Sequence, residues 1–380
     1  MNRSRTFLAL AASASFVFAA CSSGGGTSAA PSTGASAPAG SAAAGLTPVS
    51  LQLQWAPQAQ FAGYFAADKQ GYYEAAGLDV TMLDGGPTVV PQQVGSAPDG
   101  PEFTISWVPK VLEAREQGSD LVNIAQIFQR SGTLSVSWKD SNITKPADFA
   151  GKKIGVWDFG NEYEVTAGAK KAGLEQGTDY TKVIQDFNMA LLISRDVDVA
   201  EAMIYNEYAQ LLETADAETG KLYTPDQLNV INWNDEGTAM LQDALFARSA
   251  WLAEAGHEDV ATNFLKASFQ GWIYCRDHPA DCIQYTVDAG STLGSGHQAW
   301  MMNEINPLVW PSPNGIGMMD AALWQQTVDV SLGAAIIKAA PPAEAYRTDL
   351  ATAALAALAD ADTKGAAFTK GVVEVTPGGN

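Results

Sequence analysis

From residue 48 onward, short runs with an apolar residue at every second position alternate with longer runs whose apolar positions recur every three or four. Residues 49–55 (VSLQLQW) show the period of two that a strand with one solvated face requires. Residues 61–76 (FAGYFAADKQGYYEAA) predict a helix that tolerates internal glycines and stops at Gly77. A strand over 78–83 then ends at the turn Asp84-Gly85-Gly86-Pro87. Residues 103–107 (FTISW) predict a third strand, 109–117 a helix opened by Pro109, and 121–128 a fourth strand. A second block repeats the pattern: a short capped helix at 143–151, strands at 153–157, 183–187 and 200–205, and helices at 161–172 and 206–215. Helix is predicted from 246 through 267 and on to 285, again at 319–330 and 342–358, with 366–380 a loose tail. Such alternation argues for α/β units built on parallel sheets.

Four of these strands end in an aromatic just before a helix: Trp55, Trp107, Trp157 and Tyr205. In open α/β sheets a ligand sits outside the carboxyl ends of the strands. The loops beside the four rings carry neutral hydrogen-bonding groups, namely Gln58, Gln60, Ser106, Asn161 and Asn206. Glu162 and Glu207 stand at helix starts, where they either accept hydrogen bonds from a ligand or simply complement the helix dipole. A cleft of flat apolar surface with a few polar pins suits a planar, uncharged, hydrogen-bonding heterocycle. Lys110 is the one basic residue near these strand ends, and both it and Lys69 read as solvated helix lysines.

The N-terminus carries an address. Arg3 and Arg5 precede an uncharged stretch over 6–20, too short for the ~20 residues of a spanning helix. It ends in Phe18-Ala19-Ala20-Cys21, which resembles a bacterial lipobox with phenylalanine where leucine is usual. Residues 1–20 are thus expected to be a signal peptide and Cys21 a lipidated N-terminus. Residues 22–47 hold no charge and one leucine, a composition that cannot order itself and would tether the body over roughly 28 Å. With 42 acidic against 22 basic side chains the net charge is −20, which excludes a nucleic-acid partner and leaves the lipid as the means of membrane attachment. Cys275 and Cys282 remain. On one continuous helix they would lie about 10 Å apart, but Pro279 breaks it, so either a bridge or two buried thiols is open.

Residues 55–64 (WAPQAQFAGY, which brings in Tyr64), 71–80 (GYYEAAGLDV) and Gly85-Gly86-Pro87 resemble the substrate-binding proteins related to thiamine-pyrimidine synthase. The stretches 157–162 (WDFGNE), 205–208 (YNEY), Gly271-Trp272 and 315–320 (GIGMMD) extend the resemblance over roughly residues 48–335. It implies a two-lobed periplasmic-binding-protein fold of type II kind, each lobe a mostly parallel sheet flanked by helices, with two hinge crossings. Residues 48–135 and 240–365 would form the first lobe and 136–239 the second. It also implies delivery of a solute to an ABC permease and its ATPase, with no cofactor and no metal. Within the group the chain resembles riboflavin-binding lipoproteins most, through Trp107, 157–162 and 205–208; carriers of a formylated aminopyrimidine are the alternative. A pyrimidine-synthase-like enzyme is disfavoured. The chain has no cysteine cluster, its three histidines lie outside these stretches, and Gly294-Ser295-Gly296-His297 reads as a flexible loop rather than a nucleophile and base.

Overall fold

The computed structural model describes residues 45–380, so the signal peptide, Cys21 and nearly all of the tether lie outside the described residues. Ten strands form two sheets. In the first, β1 (Thr47–Gln52), β2 (Leu78–Leu83), β3 (Phe103–Ser106), β4 (Leu121–Gln126) and β10 (Ala244–Arg248) take the order β2-β1-β3-β10-β4. In the second, β5 (Thr133–Trp138), β6 (Lys153–Val156), β7 (Thr181–Ile184), β8 (Val199–Met203) and β9 (Leu228–Asn232) take the equivalent order β7-β6-β8-β5-β9. Each sheet is parallel except for one strand. β10 runs antiparallel to β3 and β4, and β5 runs antiparallel to β8 and β9. Both exceptions have one cause: each is the strand that follows a passage of the chain from one sheet to the other, through 127–132 and through 233–243. The result is the two-lobed α/β fold of periplasmic binding proteins.

Several regions differ from the expectations of the sequence, three of them in strands or at the C-terminal end. The alternation marks no element at 133–138, yet β5 is the strand through which the second lobe is entered, with Leu134, Val136 and Trp138 in that lobe's core and a buried Thr/Ser face opposite. Residues 246–248, expected to begin a helix, complete β10. A short run of wholly buried apolar residues has no period that separates strand from helix. The third is the C-terminal end. Residues 366–380 lack regular structure apart from one 3-10 turn at Pro377–Gly379, but they are not loose. Lys370 pairs with Glu304, Val375 packs against the second lobe's core, and the Gly378 N–H donates to the Glu213 carbonyl at 3.0 Å.

This tail also corrects the reading of 294–297 as a loop. The helix Ser295–Val309 begins there, and the tail lies so close that a Cβ on Gly294 would meet Gly379 O at 2.4 Å. His297 is buried beneath it. The expected helix over 342–358 is confined to Asp349–Ala356, preceded by a 3-10 turn at Ala343–Ala345. Pro279 does break the helix His257–Asp277 from Pro279–Asp288, and Cys275 and Cys282 are joined across the break with Cα atoms 5.5 Å apart. Among the described residues no helix is long and apolar enough to cross a membrane.

The two internal glycines of the first predicted helix differ in role: Gly63 permits a close helix crossing, and Gly71, with φ at +70°, makes a turn. The helix is divided at Gly71 into Ala62–Lys69 and Tyr72–Ala75, and its first part crosses the helix His257–Asp277 at Gly63 and Gly271. A Cβ on Gly271 would lie 1.9 Å from the Gly63 carbonyl oxygen, and one on Gly63 would enter the Trp272 ring. Gly271→Ala is accordingly expected to lower unfolding stability by about 1–3 kcal/mol through overpacking, measured by urea denaturation. An unchanged midpoint would mean that the helices do not approach this closely.

Candidate functional site

The strand ends of the two sheets face each other across a cleft of about 390 Å³ of empty space, counted to its mouth. Of the residues expected there, Trp55, Gln58, Gln60, Trp107, Trp157, Asn161, Tyr205, Asn206 and Glu207 line it. The first four come from the first lobe and the other five from the second. Three expected residues lie elsewhere. Tyr64 is buried in the core, edge-on to Trp272 with ring centroids 5.7 Å apart, because it sits on the face of its helix that packs on His257–Asp277. Ser106 is fully buried, with its Oγ near Gln92 Oε1 at 3.4 Å. Glu162 is largely covered, accepting from the Gly160 N–H at 3.0 Å and pairing with Lys182 at 3.3 Å outside the cleft lining.

The polar wall of the first lobe is organised by Asp243, a residue that no sequence motif singles out. Its carboxylate accepts from Trp107 Nε1 and from Gln60 Nε2, both at 2.8 Å, and Gln58 Nε2 in turn donates to Gln60 Oε1 at 2.6 Å. Burial pushes the Asp243 carboxyl up to about 6, with the Gln60 and Trp107 hydrogen bonds acting in the other direction. On the second lobe Glu207 accepts from the Met203 N–H at 3.0 Å and from Asn206 Nδ2 at 2.9 Å. Burial raises it to about 7. Asn206 Oδ1 also accepts from Gln210 Nε2 and faces His297 Nε2 at 3.1 Å, while His297 Nδ1 meets Glu213 at 2.9 Å. His297 therefore backs the cleft wall rather than entering it.

Phe187 and Lys110 change the picture most. Phe187 stands between the two indoles, 4.3 Å from the Trp55 ring and 5.8 Å from Trp157, nearly parallel to the latter. Phe187 ends the expected strand 183–187, but no helix is expected after it, so the rule that selects the other four passes over it; relaxed to any strand-end aromatic, the rule would also take Phe128, which is core. Lys110 is not a solvated lysine. It is 5% exposed, lies 4.4 Å from the centre of the Trp107 ring, and donates to Asn161 Oδ1 of the opposite lobe at 2.7 Å. Gln54 and Met203 complete the lining. Among the described residues no group of three or more His, Cys, Asp or Glu is placed to hold a metal ion.

A family model described as NMT1/THI5 like matches residues 58–282. The chain belongs to the NMT1/THI5-like family. The riboflavin-binding protein RibY of Chloroflexus aurantiacus is 26% identical over 80% of this chain and 85% of its own. The formylaminopyrimidine-binding protein of Halalkalibacterium halodurans is 22% identical over 74% of this chain and 84% of its own. Among solved structures, the alkanesulfonate-binding protein SsuA from Xanthomonas axonopodis pv. citri superposes with a TM-score of 0.57 at 16% identity, covering 80% of this chain and all of the other. That likeness speaks for the fold. Family, fold and cleft together make this a small-molecule-binding protein of the NMT1/THI5 superfamily.

One buried acid lies where the two chain passages meet the second lobe. Glu164 accepts from Ser131 Oγ at 2.7 Å and from the Met240 N–H at 3.0 Å, and burial raises it to about 8. A carboxyl whose pKa is higher folded than unfolded stabilises the fold fully below its unfolded value and loses that contribution as pH rises through the folded value. The windows run upward from the ordinary carboxylate range to about 6 for Asp243, about 7 for Glu207 and about 8 for Glu164. The melting temperature is therefore expected to fall between about pH 5 and about pH 8.5. Glu164→Gln, neutral throughout, should flatten the upper part of that fall, as followed by thermal unfolding across the pH series. A variant curve as steep as the parent's would remove Glu164 as its source.

Proposed function

We propose that the chain is the extracytoplasmic binding component of an ABC importer and that it captures a planar, uncharged nitrogen heterocycle between its lobes. The formylated aminopyrimidine class comes first. The observation that carries this choice is Phe187: with its ring between Trp55 and Trp157, the slot suits a single ring better than three fused ones. The polar groups at hand also suit an aminopyrimidine. Gln58 and Asn206 carry amides, and Glu207, raised to about 7, can accept from an exocyclic amine or, when protonated, donate to a ring nitrogen. No cofactor enters this reading. Ligand is bound and released unchanged by a protein held to the membrane surface through a lipid on Cys21 and the tether that follows it.

Riboflavin is the second reading. It is favoured by the riboflavin-binding relative, whose match spans 80% of the chain. In both readings the mechanism is the same. Trp55, Gln58 and Trp107 meet the ring from one lobe, and Trp157, Tyr205 and Asn206 from the other, so contacts are complete only when the lobes are together. That difference in affinity between the open and closed arrangements drives closure, and the closed form is what the permease receives.

The test uses protein beginning at Ser22, unfolded and refolded to strip bound solute. Formylaminopyrimidine is titrated by calorimetry and riboflavin by quenching of flavin fluorescence. Tight binding of the pyrimidine, with riboflavin unable to compete, is the expected result. Stoichiometric quenching that the pyrimidine cannot reverse would transfer the assignment to riboflavin. Silence with both would overturn the ligand class. Trp157→Ala should weaken whichever ligand binds by about 1–3 kcal/mol, the loss of one stacked, buried ring face. An unchanged affinity in that variant would remove Trp157 from the site.

A further inference from the structure

We infer that the cleft has a second subsite, an outer chamber that receives an arm of the ligand bearing neutral oxygen acceptors, with Lys110 as donor and Phe159 as cover. The inference rests on the ring-binding reading above and extends it. A separate space of about 400 Å³ opens beside the ring-binding cleft, and Gln54, Trp55, Asn161 and Phe187 line both. Phe187 is thus a partition, with a largely aromatic room on one side and a mixed one on the other. The outer room is walled by Gly86, Pro87 and Val90 from the first lobe and by Phe159 from the second, with Lys110 at the junction.

Two features of this room are left incomplete by the protein's own contacts. Lys110 is a buried cation whose hydrogen-bond partners are neutral amides. It donates to Asn161, and the Gln54 amide, assigned with its oxygen toward the ammonium because the opposite assignment sets donor against donor, accepts from it at 3.1 Å while its nitrogen donates to the Ile105 carbonyl. An ammonium has three N–H groups, so one remains for a further acceptor. Burial lowers its pKa to about 8, against the pull of Asp243, Glu162 and Glu201. Phe159 is 73% exposed and holds φ at +63°, a left-handed conformation that is costly for a side chain of this kind. The fold thus spends strain to hold an apolar ring in water at the rim of the chamber. A ligand arm lying between Phe159 and Lys110 would cover the ring and satisfy the ammonium together. A formamide carbonyl or a chain of hydroxyls has the required chemistry.

Matched pairs of probes isolate the arm: formylaminopyrimidine against the same pyrimidine with a free amine, and riboflavin against lumiflavin, the same isoalloxazine with a methyl group in place of the polyol chain. For the unsubstituted protein the arm-bearing member of one pair is expected to bind at least roughly tenfold tighter, the scale of one hydrogen bond to a charged group. Lys110→Met should close most of that gap by weakening the arm-bearing member alone, and Phe159→Ala, a surface change, should narrow it by about threefold or more. The pair that shows the gap identifies the arm as formamide or polyol. Equal weakening of both members, or no change in either, in both variants would overturn the subsite while leaving the ring site intact. Failure of the unsubstituted protein to bind any of the four would overturn the ring-binding reading and the subsite with it.

Discussion

Gln242 lies where the two chain passages meet, and its buried amide is engaged on both atoms. Its oxygen accepts from the Gly132 N–H at 2.8 Å, and its nitrogen donates to Thr133 Oγ1 at 2.6 Å and to Ser131 Oγ at 3.0 Å. Its backbone carbonyl accepts from Gln126 Nε2 at 2.7 Å. The end of β4, the start of β5 and the approach to β10 are therefore tied through one residue, by its side chain and its carbonyl. A buried amide that lost these partners would leave several polar groups unsatisfied, each at a cost of about 1–3 kcal/mol. The next residue, Asp243, holds Trp107 and Gln60. The segment that joins the lobes thus also sets the wall of the cleft, and a displacement at the junction reaches the site within one residue.

The cleft is chemically unlike the surface around it. A chain of net charge −20 would be expected to repel anions and attract cations, but the acids near the cleft are buried and raised. Glu201, which accepts from the Trp157 N–H at 2.9 Å, is pushed well above the usual carboxylate range by the same burial. Carboxyls of this kind supply hydrogen-bond donors as well as acceptors, and with Lys110 among them the site presents polarity without a strong field of either sign. That is a setting for neutral hydrogen-bonding groups rather than for a strongly charged one.

What the sequence disclosed followed the locality of each signal. The strand-end rule needs only a run, its last residue and the helix that follows, and on that alone it assigned Trp55, Trp107, Trp157 and Tyr205 to the one cleft that they line. Ser106, named among the polar groups beside those rings, does not line the cleft because consecutive strand residues face opposite sides, so that the neighbour of a cleft residue points away from it. Lys110 reads as exposed because helix lysines are normally solvated, whereas the first turn after Trp107 is roofed by Asn161 from residues fifty positions later. Asp243 gives no local sign at all. Its role depends on Gln60 and Trp107, far away in sequence, and only the return of the chain into the first sheet as β10 assembles the three. The tail reads as loose from composition, while its order comes from Glu213, His297 and the glycines that let it approach.

These long-range contacts also bear on how closure works. Lys110 to Asn161, the Tyr163 hydroxyl to Glu113 at 2.5 Å, His297 to Asn206, and Trp300 Nε1 to the Ile204 carbonyl at 3.1 Å all join parts of the chain on either side of the passages. Trp157, Met203 and Tyr205 pack continuously with the first lobe's core rather than with their own. The closed arrangement therefore has cohesion of its own, and a ligand need supply only the difference between that cohesion and the hydration regained on opening. A protein whose competent state is already well populated loses little affinity to the conformational step. The same cohesion slows release, which requires that these cross-lobe contacts be weakened. Lys110–Asn161, at 2.7 Å, is one contact among several that hold the lobes, so its loss alone leaves the closed arrangement supported by the others.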